Sequence, residues 1–398
     1  GKQGNVRNIL IIAYLVGLAI GIHLLNLLAF PFLALIIYYK KYPFRPVSFL
    51  TVIILTGIAF GVIYLGIIKG IPNLLDKTGL SMTIIIILGI FAATAYFIKS
   101  KKTLLATLLA CLSLGLVGYS PYTTIFIRAV QNPAINENSP DTIAGAISYL
   151  NREQYGDWDI LNRKSTLQRP ENTYWKRYTL NRGKPKPKEV RDFIWNYQVK
   201  EMYLRYFAWQ FIGKGEMDWP VINKKGTLLR YKEGINSTRY IIPLAFIIGM
   251  IGMVFHFQQD WRRALAVLAL FVTTGLLIIL YLNQYDPQPR ERDYSYVGSF
   301  FTFSIWIGIG IAGIADWISK LVKDANGSKM ATAGLMILLF IMMPVNMLAK
   351  DYREHNRAGN FVAWDFGYDM LNSCEPDGII FTNGDNDTFP LWYLQEVR

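Results

Sequence analysis

The stretch NQYDPQPRERDYSYVGSF, Asn283–Phe300, lies between two apolar runs, each long enough to cross a lipid bilayer. A plain connector between helices needs only a few polar residues and a turn. This one carries Asp286, Arg290, Glu291, Arg292 and Asp293, with Pro287 and Pro289 stiffening its first half. Charges are costly in hydrocarbon, so the stretch leaves the membrane and returns at once. What it can do there depends on which face of the membrane it occupies.

The rest of the chain has a membrane-protein composition. Of 398 residues, 52% are hydrophobic and only 17% charged, whereas soluble domains carry roughly a quarter charged residues. A net charge of +13 would suggest nucleic acid in a soluble protein. Beside apolar spans it points to lipid headgroups instead, and no nucleic-acid partner is expected. Cys111 lies in an apolar segment and Cys374 in a polar tail, which predicts no disulfide and no C-x-x-C metal site. The chain opens on GKQGNVRN without an initiator Met and stops at LWYLQEVR in mid-pattern, as an internal piece of a longer protein would.

About 20 apolar residues cross a hydrocarbon core. Segments 47–68, 81–99, 103–127, 239–257, 262–283, 294–319 and 330–349 qualify. The run 8–38 is long for one upright helix, and Gly21, His23 and Asn26 in its middle predict two short helices meeting at a turn; one long tilted helix is the alternative. Basic residues in short loops mark the cytoplasmic side. Lys40, Lys41 and Arg45 form one such cluster, Lys99, Lys101 and Lys102 a second, Arg262 and Arg263 a third, and Lys320, Lys323 and Lys329 a fourth. With all four inside, 69–80, 128–238, 284–293 and everything after 350 lie outside. The expectation is an all-α polytopic membrane protein with about 8–9 spans. It divides into a first helix group (1–127), a basic aromatic-rich outer loop (128–238), a second helix group (239–349) and the start of an outer α/β domain (350–398).

The outer loop holds 19 Lys/Arg against 12 Asp/Glu, a net of +7. Long segments translocate largely regardless of charge, so this excess is compatible with an outer position and suggests contact with anions. Within it, 189–213 places Phe193, Tyr197, Met202, Tyr206 and Trp209 at roughly helical spacing. That predicts an amphipathic helix, either part of a Trp/Tyr belt at headgroup level or a substrate-handling element. RGKPKPKEV at 182–190 reads as a solvated basic turn. In the tail, Gly378–Thr382 predicts a short buried strand, followed by a turn and a helix from Thr388 with Pro390 early in it. Asp385 and Asp387 in that turn form an Asp-x-Asp that could hold a divalent cation, although such acidic turns usually cap helices.

Arg290 and Arg292 offer planar forks suited to phosphate oxygens. Glu291 and Asp293 could orient them or accept hydrogen bonds from sugar hydroxyls. The plainer alternative is an ion-pair knot that anchors the helix ends. Arg128, at the end of an apolar run, is a lesser phosphate candidate, and Asn136 and Glu137 belong to a polar run suited to hydroxyls. His23 is an ionisable residue inside an apolar segment, either functional or bonded to the backbone.

Several of these stretches resemble a known family. GLAIGIHLLNLLAFP, the INENSP and YLNREQYGD runs, YLNQYDPQPRERDYSYVGSF and FTNGDNDTFPLWYLQEV are similar to bacterial multi-spanning proteins of glycosyltransferase family 117. Those proteins are in turn similar to vertebrate protein O-mannosyltransferases of the GT-C superfamily. The resemblance implies transfer of a sugar, mannose, from a polyprenyl-phosphate donor to Ser or Thr of exported proteins, at the outer face of a bacterial inner membrane. It also implies a catalytic carboxylate in a first outer loop, upstream of Gly1. Membrane lipid, lipid-linked sugar, exported acceptor proteins and membrane-complex partners would be the contacts. Two rival classes are a transporter or flippase for lipid-linked sugars and a non-catalytic scaffold for an export machine.

Overall fold

The computed structural model describes residues 2–153, 162–169, 185–216, 219–222, 228–286, 288 and 292–398. The fold is predominantly helical, with one antiparallel hairpin that pairs Trp219–Ile222 with Leu228–Lys232. Among the described residues, six segments are long and apolar enough to cross a membrane: Leu24–Lys41, Pro46–Lys99, Thr103–Ala129, Leu244–Leu282, Tyr294–Leu321 and Ala325–His355. A shorter apolar helix, Val6–Ile22, precedes them. The chain divides into two compact units, each assembled from separate stretches.

The first unit comprises Gly1–Gly21, Leu65–Gly156 and Tyr352–Arg398. Its helices pack through glycine. A Cβ at Gly17 would lie 2.1 Å from the Gly115 carbonyl oxygen, and one at Gly118 would lie 2.2 Å from that of Tyr14. Small residues of this kind let membrane helices approach backbone to backbone. Thr94 and Ser113 add a buried hydroxyl pair at 2.9 Å. The connector expected at 69–80 is largely helical and breaks at Gly79, whose φ of 75° suits glycine.

In the tail of this unit the helix Val362–Asn372 packs on Asp385–Val397, with Leu391 buried. The strand expected at Gly378–Thr382 does not form. The segment finds no ladder partner, and Ile379 and Phe381 stand 84% and 92% exposed. The helix expected from Thr388 begins at Asp385 instead, after Gly384. Asp385 and Asp387 thereby fall in its first turn, where unpaired N–H groups favour carboxylates.

The second unit comprises Ile22–Tyr64 and Asp157–Asp351. The apolar run 8–38 is broken at His23, whose extended backbone precedes the tight helix Leu24–Ala29 and then Phe30–Lys41. His23 Nδ1 accepts the Leu25 N–H at 3.1 Å, so its ring caps the new helix. Thr273 Oγ1 donates to the Leu28 carbonyl at 2.8 Å, satisfying a group that the break leaves without a helical partner. The helix Leu244–Thr273 is interrupted at Asp260, beside the basic pair used to place the inner side. Asp260 caps the following turn by accepting Arg263 N–H at 3.2 Å and pairing with its guanidinium at 2.9 Å.

Leu244–Thr273 and Val297–Leu321 form the axis of this unit. A Cβ at Gly252 would sit 1.8 Å from the Trp306 carbonyl oxygen, and Gly310 is nearly as close to the Ile248 carbonyl at 2.2 Å. On this pair rests the main apolar core, which includes Phe193, Tyr197, Tyr203, Tyr206, Phe303 and Trp306.

Gly252→Ala should therefore push the two helices apart and cost about 1–3 kcal/mol, as overpacking does. Gly308→Ala meets nothing within 4 Å and should leave the melting temperature in detergent unchanged. Thermal unfolding of the two variants side by side tests the crossing.

Candidate functional site

The helix predicted at 189–213 runs as Pro187–Asp192, Phe193–Leu204 and Arg205–Phe211. All five residues expected on its apolar face are buried: Phe193, Tyr197, Met202, Tyr206 and Trp209. They form neither an exposed belt nor an open platform but pack into the core, while Trp195 alone of the nearby large rings stays 61% exposed. The central stretch Phe193–Leu204 is wound with the wider i to i+5 spacing. Wider turns rotate polar residues inward as well, so Gln198, Glu201 and Arg205 are also buried. Arg205 stacks against Tyr206 and Trp209, at 4.8 and 4.6 Å, and donates to the Glu201 and Glu233 carbonyls. Burial pushes the Tyr203 phenol up to about 12.

This helix holds the polar loop on which the sequence turns. Leu276–Leu282 ends at Asn283, whose left-handed backbone (φ 41°) is one that asparagine tolerates. Arg163 donates to the Leu280 carbonyl in that last turn. Tyr197 Oη donates to the Tyr285 carbonyl at 2.9 Å. Gln198 Nε2 donates to Asn283 Oδ1 and to the Gln284 carbonyl, both at 3.2 Å. Asn283 Nδ2 donates in turn to Thr166 Oγ1 at 2.8 Å. Asn283, Gln284 and Asp286 are 4%, 4% and 0% exposed. Entry to the loop is thus a buried amide network.

Beyond it, Gln288 Nε2 donates to the Tyr285 carbonyl at 2.6 Å, and its Oε1 accepts from Arg292 Nε at 3.1 Å. Arg292 also donates to Tyr294 Oη at 3.2 Å. Among the described residues, its hydrogen-bonding partners are both neutral. Arg290 and Glu291 lie outside the described residues, as does the side chain of Asp293.

The other predicted positions belong to the first unit. Arg128 is exposed at the end of the helix Thr124–Ala129. Asn136 is half-buried and donates to the Ala129 carbonyl at 3.3 Å, closing its own turn, while Glu137 is exposed. Asp387 accepts from Asn383 N–H at 3.4 Å. Among the described residues, no group of three His, Cys, Asp or Glu converges as a metal site would.

Sequence reasoning missed Gln198, Gln284, Asn283 and Thr166. None carries charge, and an isolated glutamine gives no signal until the fold buries it. It also missed a second cluster in this unit. Arg239 holds Asp351 through Nε and Nη2 at 2.9 and 2.7 Å, and Tyr240 Oη donates to the same carboxylate at 2.6 Å. Burial first, and then the Asp351 carboxylate, push the Tyr240 phenol up to about 12. A shallow apolar cleft lies beside it, lined by Phe211, Tyr240, Met342, Met343 and Met347 among others.

Two family models match the ends of the chain. Residues 1–45 match one described as the protein O-mannosyl-transferase TMEM260 N-terminal domain, and residues 363–398 match TMEM260-associated domain 2. No curated protein and no solved structure matches. The two matches leave the middle of the chain, and with it the polar loop, uncovered.

Asp351→Ala leaves Arg239 and Tyr240 without their shared acceptor and should destabilise the protein by about 1–3 kcal/mol in thermal melts. A phenol whose folded pKa is raised stabilises fully below its unfolded value near 10, and this contribution disappears as pH rises through about 12. Tyr240→Phe should remove that component from the alkaline unfolding profile between those limits.

Proposed function

We propose that this chain belongs to a membrane glycosyltransferase that moves a sugar, mannose, from a polyprenyl-phosphate donor to Ser or Thr hydroxyls of exported proteins. The likeness of residues 1–45 to a protein O-mannosyl-transferase N-terminal domain supports the reaction class. The observation that carries the site is Arg292, whose guanidinium is held, among the described residues, by the neutral side chains of Gln288 and Tyr294. Neutral partners fix the fork without neutralising it, which suits binding of an anion.

In this reaction the acceptor oxygen attacks the anomeric carbon, and the bond from that carbon to the phosphate oxygen breaks. A carboxylate base takes the hydroxyl proton, and the polyprenyl phosphate leaves with the electron pair. Arg292, together with Arg290 two positions earlier in the sequence, is assigned to stabilising the charge that develops on the departing phosphate, with Arg128 a lesser candidate. Glu291 and Asp293 are assigned to the sugar hydroxyls, the other role their carboxylates suit.

The membrane is taken as a bacterial inner membrane crossed nine times. At 54 residues, Pro46–Lys99 is far longer than one crossing and bends at Gly79, while Leu244–Leu282, at 39 residues, bends at Asp260. Counting each as two crossings, with the four basic clusters inside, puts the 283–296 loop on the outer face. By the same count the C-terminal helices Val362–Asn372 and Asp385–Val397 fall on the outer face.

Arg292→Ala in the full-length protein should lower transfer by about 10²–10³-fold, the usual cost of losing one group that stabilises developing charge. Expression should be unchanged, and Arg290→Ala should behave alike; glycosylated acceptor is read by intact mass. Unaltered transfer in both variants would remove the loop from the active site. Sidedness is tested separately by Ser237→Cys, an exposed position outside the spans that the same count puts on the loop's side of the membrane, in a Cys374→Ser background. A membrane-impermeant maleimide applied from outside should label it.

A further inference from the structure

The amide network at the head of the loop has hydrogen-bond acceptors to spare. Gln198 spends its amide nitrogen on Asn283 and Gln284, yet its Oε1 is buried without a partner among the described residues. The buried Oε1 of Gln284 likewise has none, and no described group bonds the rest of that side chain. Gln198 and Gln284 are 0% and 4% exposed, so water does not reach them from the surface. A buried polar group without a partner costs about 1–3 kcal/mol, which methionine of similar shape would avoid. Asn283 is matched to Thr166, and Tyr197 and Gln288 to the Tyr285 carbonyl, while elsewhere in the core the Tyr206 hydroxyl and Trp306 Nε1 are also buried without a partner among the described residues.

Both surplus groups are carbonyl oxygens, so what they lack is a donor. An anion would be repelled by them. A hard cation would want six or more oxygens, including carboxylates. A polyol offers neutral O–H donors and fits both positions. Four residues along the loop, Gln288 holds Arg292, the fork suited to an anion. Surplus acceptors at one end and an arginine with neutral partners at the other match a ligand with a hydroxyl-rich part and an anionic part.

We propose that the side-chain carbonyls of Gln198 and Gln284 accept hydrogen bonds from the hydroxyls of a phosphate-linked sugar, and so distinguish a glycosylated lipid phosphate from the bare one. This deepens the glycosyltransferase assignment and depends on it. Because both oxygens are closed to solvent, admitting the sugar requires the contact between Gln198 and Gln284 to open. Sites that hold a stability penalty for the sake of a ligand show it on mutation, by gaining stability as binding is lost.

The test uses the full chain in nanodiscs with two probes, polyprenyl phosphate and polyprenyl-phosphate mannose. In the unsubstituted protein the mannosylated lipid should raise the melting temperature more than the bare lipid. In Gln284→Met the unliganded melting temperature should hold or rise and the response to bare lipid should persist. Affinity for the mannosylated lipid should fall about tenfold, toward that for the bare one. If the preference for the mannosylated lipid survives in Gln284→Met, or if that variant melts several degrees lower without ligand, the glutamines are structural or hold only buried water, and the proposal fails. If neither lipid shifts the unsubstituted protein, the lipid-donor assignment itself fails, and the glutamine proposal with it.

Discussion

Tyr197 and Gln198, adjacent on one helix, donate to the carbonyls of Tyr285 and Gln284, adjacent on the loop. This paired contact fixes where the polar loop lies. Backbone carbonyls that have left a helix and are shielded from water must find donors, or the loop cannot stay where it is. The helix that supplies them is held in turn by its rings, packed on Leu244–Thr273 and Val297–Leu321. Those two approach closely only because Gly252 and Gly310 carry no side chain. A contact between glycines thus determines, through two layers of packing, where an arginine outside the core can point.

The features readable from sequence were those set by hydropathy and charge. The apolar runs became helices near their expected limits, and the bend at Asp260 falls beside Arg262 and Arg263 because charges cannot stay in hydrocarbon. The break at His23 was legible from Gly21, His23 and Asn26 interrupting an overlong run. The five apolar residues of the aromatic helix were also named correctly. Their destination was not, since the same spacing serves a surface belt and a core. The strand at Gly378–Thr382 misled because a short apolar run becomes a buried strand only when a neighbouring strand exists to pair with it.

The candidate site was half legible. Charge drew attention to Arg292, and composition could show that it had carboxylates nearby in sequence. Only the fold shows that the groups holding it are an amide and a phenol. The difference matters electrostatically. A carboxylate partner would hold the guanidinium in place but cancel its field, whereas neutral acceptors set its direction and leave its charge to act on a ligand. Gln198 and Gln284 left no trace in the sequence, because nothing in a glutamine codon announces whether its amide will be wet or dry.

The wide winding of Phe193–Leu204 also constrains how this segment can change in length. Each wide turn accommodates an additional residue. Deleting a residue there would let the segment relax to ordinary pitch and turn everything after it by about 100° around the axis. Arg205 and Trp209 would swing away from the Glu233 and Gly234 carbonyls to which they now donate. Homologous chains should accordingly vary in length on either side of this segment, at the hairpin or in the basic turn before it, and keep its residue count fixed.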